Sequence, residues 1–101
     1  MRTLDIPEDV LKDPKATEMI RFFLANDEPN VALLLGMYED TENCDVDELW
    51  AWGHILSDIV QHIANGFEAS HGWDYNKTVS EVMKNFNNVV TEKNPNLEGH
   101  F

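Results

Sequence analysis

The sequence has few basic residues, and this shortage limits the partners that it can bind. Seven Lys and Arg residues stand against nineteen Asp and Glu residues, which gives a formal net charge of −12 at pH 7. A surface of that sign repels phosphate backbones and anionic lipid headgroups. We therefore expect neither nucleic acid nor a membrane as a partner. The acidity favours solubility, and a basic protein is the charged partner that the chain would attract.

Cysteine and long hydrophobic runs are also scarce. The single cysteine, Cys44, cannot form an intramolecular disulfide, which is typical of a reducing compartment. The first ten residues contain acids and a proline where a secretory signal has a continuous apolar run. No segment is apolar over the length that a bilayer requires. These absences together predict a cytoplasmic protein.

The residues that are present suffice for one folded domain. The hydrophobic content is 43%, an ordinary value for a globular protein, and 101 residues can enclose one core. We predict a single domain over residues 1–101. Within it, residues 1–12 form an N-terminal arm or edge strand, and residues 94–101 form a flexible tail.

The sequence predicts a long helix from Asp45 to about Ser70, around which the rest of the domain is arranged. Apolar residues recur there at spacings of three and four, so they form one broad stripe on a helix. The stripe predicts that this helix is the core of the domain, and that its other parts pack along it. Its members are Leu49, Trp52, Ile55, Leu56, Ile59, Val60, Ile63, Ala64 and Phe67.

The remaining pattern predicts two further helices and one central strand. A first helix starts at Asp13–Pro14 and ends before Asn26–Pro29, and a last helix runs from about Thr78 to Lys93. Between the first and the long helix, Asn30–Tyr38 is a short apolar run bounded by turn residues, which favours a strand. The fold class is therefore α+β, in the order helix, strand, long central helix, helix. A short N-terminal strand over Leu4–Ile6 is an addition that Pro7 would end.

Two spacings indicate where the later helices begin. Asp45 with Glu48, and Thr78 with Glu81, have the spacing of a capping box. The acidic loop Glu39–Cys44 ahead of the first box lacks the glycine and the distal glutamate of a calcium-binding loop. We therefore interpret the acidity at this point as structural.

Polar side chains follow the long helix at intervals of four residues: His54, Asp58 and His62. Neighbours at this spacing can touch, so Asp58 can accept a hydrogen bond from either imidazole, as in oriented catalytic or ligating histidines. Asp58 and His62 are thus the candidate catalytic residues. The outer histidines are about 12 Å apart along the axis, too far for one metal ion, although a two-ligand site shared with another chain stays open. No phosphate loop or nucleophile motif accompanies them, so we expect no cofactor and no metal.

The residues around this pair resemble a known pattern. The pattern reads Trp-Gly-x-x-Leu-x-Asp-x-x-x-His-hydrophobic-Ala and is similar to the signature of a family of small bacterial proteins that carry a domain of unknown function. The similarity extends from about Leu4 to Gly66, and the family brings no activity, cofactor or partner with it. The matching residues are Trp52, Gly53, Leu56, Asp58, His62, Ile63 and Ala64.

The count of strands predicts a homodimer. One buried strand leaves backbone groups to be paired, and the N-terminal segment is too short to cover both of its edges. We expect the same strand of a second copy to complete the small sheet across a two-fold axis. Trp50 points away from the apolar stripe and would join the interface. The interface candidates are Val31, Leu33, Leu35, Met37 and Trp50.

These observations favour a non-enzymatic protein, an interaction or self-associating module. The alternative is a small-molecule-binding or catalytic protein that uses Asp58 and His62 in a cleft. The sequence identifies no ligand for that alternative, and whether the chain is an enzyme stays open.

Overall fold

The structure, a computed structural model, describes residues 1–38, 46–92 and 98–100. It confirms the α+β class, with the elements in the order helix, strand, strand, helix, helix, strand. The chain divides into two compact units. The first unit holds residues 1–35 with the C-terminal strand, and the second holds the two long helices. The elements are α1 Glu8–Lys12, β1 Ile20–Ala25, β2 Glu28–Leu33, α2 Val46–His71, α3 Tyr75–Val89 and β3 Glu98–His100.

The first unit contains a three-stranded sheet in the order β1-β2-β3. Strands β1 and β2 pair antiparallel, from Ile20 opposite Leu33 to Ala25 opposite Glu28. The two residues between them, Asn26 and Asp27, both have positive φ, as the tight turn of a hairpin requires. Strand β3 runs parallel to β2 along its other edge.

The predicted first helix is wrong, because its apolar residues belong to β1. The Asp13 carboxylate accepts a hydrogen bond from the Lys15 amide at 2.9 Å, so it forms a local turn and caps no helix. Isoleucine and two phenylalanines within Ile20–Ala25 favour a strand, and Asn26–Asp27 supplies the hairpin turn. A spacing of three between Ile20 and Phe23 fits a helical stripe but does not exclude a strand.

The structure contains the predicted central strand, but at different residue bounds. It occupies Glu28–Leu33, so the prediction that it extends to Tyr38 is wrong. Its edges are paired with β1 and β3 within the chain, and the sheet needs no second copy to provide these two partners. The argument from a free strand edge therefore fails, although the dimer itself stays a prediction.

Both chain ends differ from the expectation. Leu4–Ile6 forms no strand, and α1 follows Pro7 instead, with two acids in its first turn. Strand β3 lies within the segment predicted as a flexible tail. Three residues are too few for a periodic signal. A side chain at Gly99 would overlap the backbone carbonyl of Val31, so the close approach of β3 to β2 requires glycine.

The two long helices confirm the second half of the prediction. Helix α2 has 26 residues, and α3 packs against it. The predicted cap of α3 is wrong, since the helix starts one turn earlier at Asp74, whose carboxylate accepts from the Lys77 amide at 2.8 Å. Thr78 instead donates its hydroxyl to the Asp74 carbonyl. Asp45 and the loop Glu39–Cys44 lie outside the described residues.

The apolar stripe of α2 is less covered than a core helix should be. Among the described residues only Ala51, Ala64 and Glu48 are buried. Leu56, Ile59 and Ile63 keep 44%, 41% and 37% of their surface exposed. Helix α3 is shorter than α2 and covers only part of its circumference. No large side chain in the described part of the chain is fully buried, so within the second unit α2 and α3 alone do not form the closed core that the stripe predicts. No helix among the described residues is long and apolar enough to span a membrane.

Candidate functional site

The first turn of α2 carries a buried carboxylate with three hydrogen-bond donors. Glu48 is 7% exposed. Its Oε1 accepts from the Gly36 amide at 2.7 Å and from the Trp52 indole Nε1 at 2.9 Å. Its Oε2 accepts from the Tyr38 amide at 2.7 Å. Glu48 therefore binds the turn at Gly36–Tyr38 to the start of the helix, and we call this arrangement the Glu48 clamp.

The clamp is structural in its chemistry. The hydrogen bond from the Gly36 amide is the main reason that the pKa of Glu48 lies below its ordinary value of 4.5, and the donors Trp52 and Tyr38 add to this effect. Burial acts in the opposite direction and is outweighed. An ionised carboxylate with three donors already bound is a poor general base. Gly36 has φ +92°, a conformation that favours glycine, so the turn itself depends on that residue.

Sequence reasoning assigned Glu48 to a capping box and missed the clamp. The spacing of Glu48 and Trp52 by four residues was visible and is compatible with their hydrogen bond. The two backbone donors were not visible, because they depend on the path of the chain between β2 and α2.

The predicted pair Asp58 and His62 is close, but the contact differs from the prediction. His62 Nδ1 lies 2.7 Å from the backbone carbonyl oxygen of Asp58. Since a carbonyl oxygen only accepts, Nδ1 carries the proton and donates it. The predicted bond to the Asp58 carboxylate is absent among the hydrogen bonds of the described residues. His62 is nevertheless oriented, and its Nε2 has no hydrogen bond among the described residues.

His54, the third member of the predicted series, is engaged elsewhere. Its ring centroid lies 3.8 Å from that of Trp50, and the planes are tilted by 38°. This contact covers one face of an indole that is 66% exposed. No group of three His, Cys, Asp or Glu residues that could hold a metal ion occurs within residues 1–38, 46–92 and 98–100.

Asp58 and His62 flank an apolar surface on α2. Together with three isoleucines they line a shallow, open depression on one side of this helix. The isoleucines follow one another at intervals of four, so they form a ridge along the helix. We call this surface the isoleucine patch; its residues are Ile55, Asp58, Ile59, His62 and Ile63.

A second surface lies where α2 meets α3. The Phe67 and Trp73 rings stack with centroids 4.6 Å apart and planes 11° apart, and His71 approaches both rings at about 5 Å. This stacking fixes the connection to the end of α2. The neighbouring groove between the helices has a volume of about 530 Å³.

The interface candidates are distributed over both units. Val31 and Leu33 are half-buried in β2, while Leu35 and Met37 follow the strand and are exposed, as is Trp50. Their role in an interface stays a prediction.

The fold and this surface define a small α+β chain whose long helix carries an open apolar ridge. The chain belongs to the family described as "Domain of unknown function (DUF5076)", which matches residues 3–94. This membership confirms the resemblance seen in the sequence.

A solved structure with a similar fold is available for comparison. It is described as "a putative pyruvate dehydrogenase from the photosynthetic bacterium Rhodopseudomonas palustrus CGA009". The two chains are 20% identical over 94% of this chain and 90% of that one, with a TM-score of 0.66. At that identity the likeness concerns the fold alone. No curated protein matches the chain.

Proposed function

We propose that this chain is a non-enzymatic, self-associating protein that acts as a homodimer. The observation that carries the proposal is the exposure of the large apolar side chains. In the described part of the chain, the two buried hydrophobic residues are alanines, whereas several large apolar side chains of α2 remain open to solvent: Leu49, Trp50, Leu56, Ile59 and Ile63. Exposed apolar area of this extent is typical of a surface that another chain covers.

The magnitude of this exposure favours a second copy. Fully burying an isoleucine is worth about 1.5–3 kcal/mol, so covering the open two-fifths of Ile59 or Ile63 contributes about 1 kcal/mol each. A two-fold axis doubles every such contribution, because the same residues are covered in both chains. Leu49, Trp50 and Leu56 on the same helix would add to the total wherever the contact reaches them.

Charge restricts where two copies can meet. Each chain has a net charge of −12, so most pairs of surfaces repel when they approach. An apolar surface on which an acid is accompanied by a histidine is favourable in this respect. The same net charge would attract a basic protein, but that partner would bind an acidic surface and would leave the apolar one uncovered.

Sedimentation equilibrium at micromolar concentration and about 0.15 M salt tests the proposal. We expect a mass of twice 11.6 kDa. A mass of 11.6 kDa without self-association would overturn it. Small-angle scattering on the same samples would then show how a single chain covers its own apolar residues.

A second candidate function is ligand binding or catalysis through Asp58 and His62. The observation in its favour is the orientation of His62, whose Nδ1 is held by a backbone carbonyl at 2.7 Å while the ring lines a depression. The test is His62→Ala. If this variant keeps its folding and assembly but loses a small molecule that native mass spectrometry detects on the wild type, the second candidate replaces the first.

A further inference from the structure

We infer that the isoleucine patch is the surface through which two copies of this chain pair, with the two α2 helices antiparallel across a two-fold axis. The inference rests on the proposed self-association and specifies its contact. The patch is formed by side chains of α2 alone. Ile59 is 41% and Ile63 37% exposed, so the ridge keeps open surface beside the groove that Ile63 lines together with α3.

One register fits the shape of the ridge. Ile55, Ile59 and Ile63 are about 6 Å apart along the axis, at about 1.5 Å per residue. We place the two-fold axis at the level of Val60. Each isoleucine is then offset by about 3 Å, measured along the helix axis, from the nearest isoleucine of the other helix. The two ridges then interdigitate evenly, with Ile59 on either side of the axis. Such ridge packing is the usual contact between helices.

The same register also pairs the charges. Asp58 lies two residues before Val60 and His62 two residues after it, so Asp58 comes level with the partner's His62. A two-fold axis of this kind keeps each flank of one helix beside the same flank of the other, and both side chains lie on one flank of the ridge. The contact therefore contains two Asp–His pairs, one on each side of the axis. The patch is self-complementary, as an isologous interface requires.

The geometry of His62 suits this arrangement. Its Nδ1 donates to the Asp58 carbonyl of its own chain at 2.7 Å. In the imidazolium form, Nε2 donates as well and can bind the partner's Asp58 carboxylate. Asp58 has no ion pair of its own among the described residues, so its carboxylate is available for this contact.

Two charge variants test the pairing. In Asp58→His, a symmetric dimer would place histidine opposite histidine, and in His62→Asp it would place aspartate opposite aspartate. Each variant alone should associate at least tenfold more weakly than the wild type. When they are mixed, both cross-chain pairs become complementary again, so the heterodimer should exceed the half of all dimers that random mixing produces. An affinity tag on one variant allows the heterodimer to be counted by native mass spectrometry.

A matched control separates specific pairing from long-range attraction. Asp47→His and His54→Asp change the net charge in the same way, but residues 47 and 54 do not come level in the proposed register. This pair should mix at random. Circular dichroism of all four variants checks the helices, which should persist because these side chains are exposed.

The outcomes distinguish the contact from self-association itself. Random mixing of Asp58→His with His62→Asp, at wild-type dissociation constants, would overturn the patch as the contact and leave the homodimer in place. A monomeric wild-type chain would overturn both. An excess of heterodimer in the test pair alone supports the antiparallel register.

Discussion

The first turn of α2 and its middle present opposite arrangements on one helix. In the first turn, the charged side chain of Glu48 is buried and bound by three donors. Further along the same uninterrupted α-helix, the side chains of Ile59 and Ile63 are apolar and exposed. A buried polar group with all its partners completes a local structure. An exposed apolar ridge lacks a packing partner. The difference indicates that α2 is anchored at its start and available for contact in its middle.

The largest expected effect comes from a charge placed in the open region. Ile59→Glu would bring two carboxylates together at the two-fold axis and desolvate them, so we expect the dimer dissociation constant to rise at least 100-fold, or about 2.7 kcal/mol. Analytical ultracentrifugation measures it. Ser57→Glu adds the same charge on another side of α2 and should leave the constant within about threefold.

A smaller effect is expected at the one fully covered alanine. Ala64 has 0% exposure, so a larger side chain at this position has no space to occupy. Ala64→Leu should lower the free energy of unfolding by about 1–3 kcal/mol through overpacking. Urea unfolding followed by circular dichroism gives this value. An unchanged or increased stability would show that the helices are separated at Ala64.

The next largest effect is expected from a substitution in the turn that Glu48 binds. Gly36 has φ +92°, which costs a residue with a side chain about 1–2 kcal/mol. Gly36→Ala should therefore destabilise the chain by about that amount. Gly53→Ala is the control, because Gly53 lies within α2 with open space around its Cβ position, and there alanine should stabilise by up to about 1 kcal/mol.

The pH dependence of the stability tests the contribution of the buried Glu48 carboxylate. Because the pKa of Glu48 is lowered on folding, its contribution to stability is fully present above the unfolded value of about 4.5 and is lost as the pH falls through the folded pKa. Glu48→Gln should be less stable than the wild type at neutral pH, and the two should converge as the solution is acidified below pH 4.5. Unfolding at a series of pH values measures this convergence.

Asp47→Asn provides the reference for that experiment. It removes a charge from the same turn without removing an acceptor of the clamp. If Asp47→Asn reproduced the pH profile of Glu48→Gln, the hydrogen bonds of Glu48 would not be the source of the stability.

The sequence predicts the helices of the second unit more accurately than the strands of the first, for a physical reason. Helices α2 and α3 were predicted because a 26-residue and a 15-residue segment repeat their apolar residues many times, so the period is unambiguous. Strand β1 was mistaken for a helix because six residues carry too few repeats, and only the Asn26–Asp27 turn distinguished the alternatives. Strand β3 has three residues and left no pattern at all.

Of the residues of the isoleucine patch, the sequence identifies Asp58 and His62 as candidates but assigns the isoleucines to the core. The interval of four placed Asp58 and His62 together, as the structure does. The sequence could not show that the imidazole would bind the Asp58 carbonyl instead of the carboxylate, since both acceptors lie within reach of the same side chain. Nor could it show that the isoleucines beside them would remain exposed, because burial depends on what packs against a helix and not on its own period.

The dependence of thermal unfolding on protein concentration tests the central claim most directly. If a second copy covers the open middle of α2, dissociation accompanies unfolding, and Tm should rise by several degrees between about 1 and 100 μM chain. Ile59→Glu should remove this rise, while Ser57→Glu should keep it. A wild-type Tm that is the same at both concentrations would contradict the account.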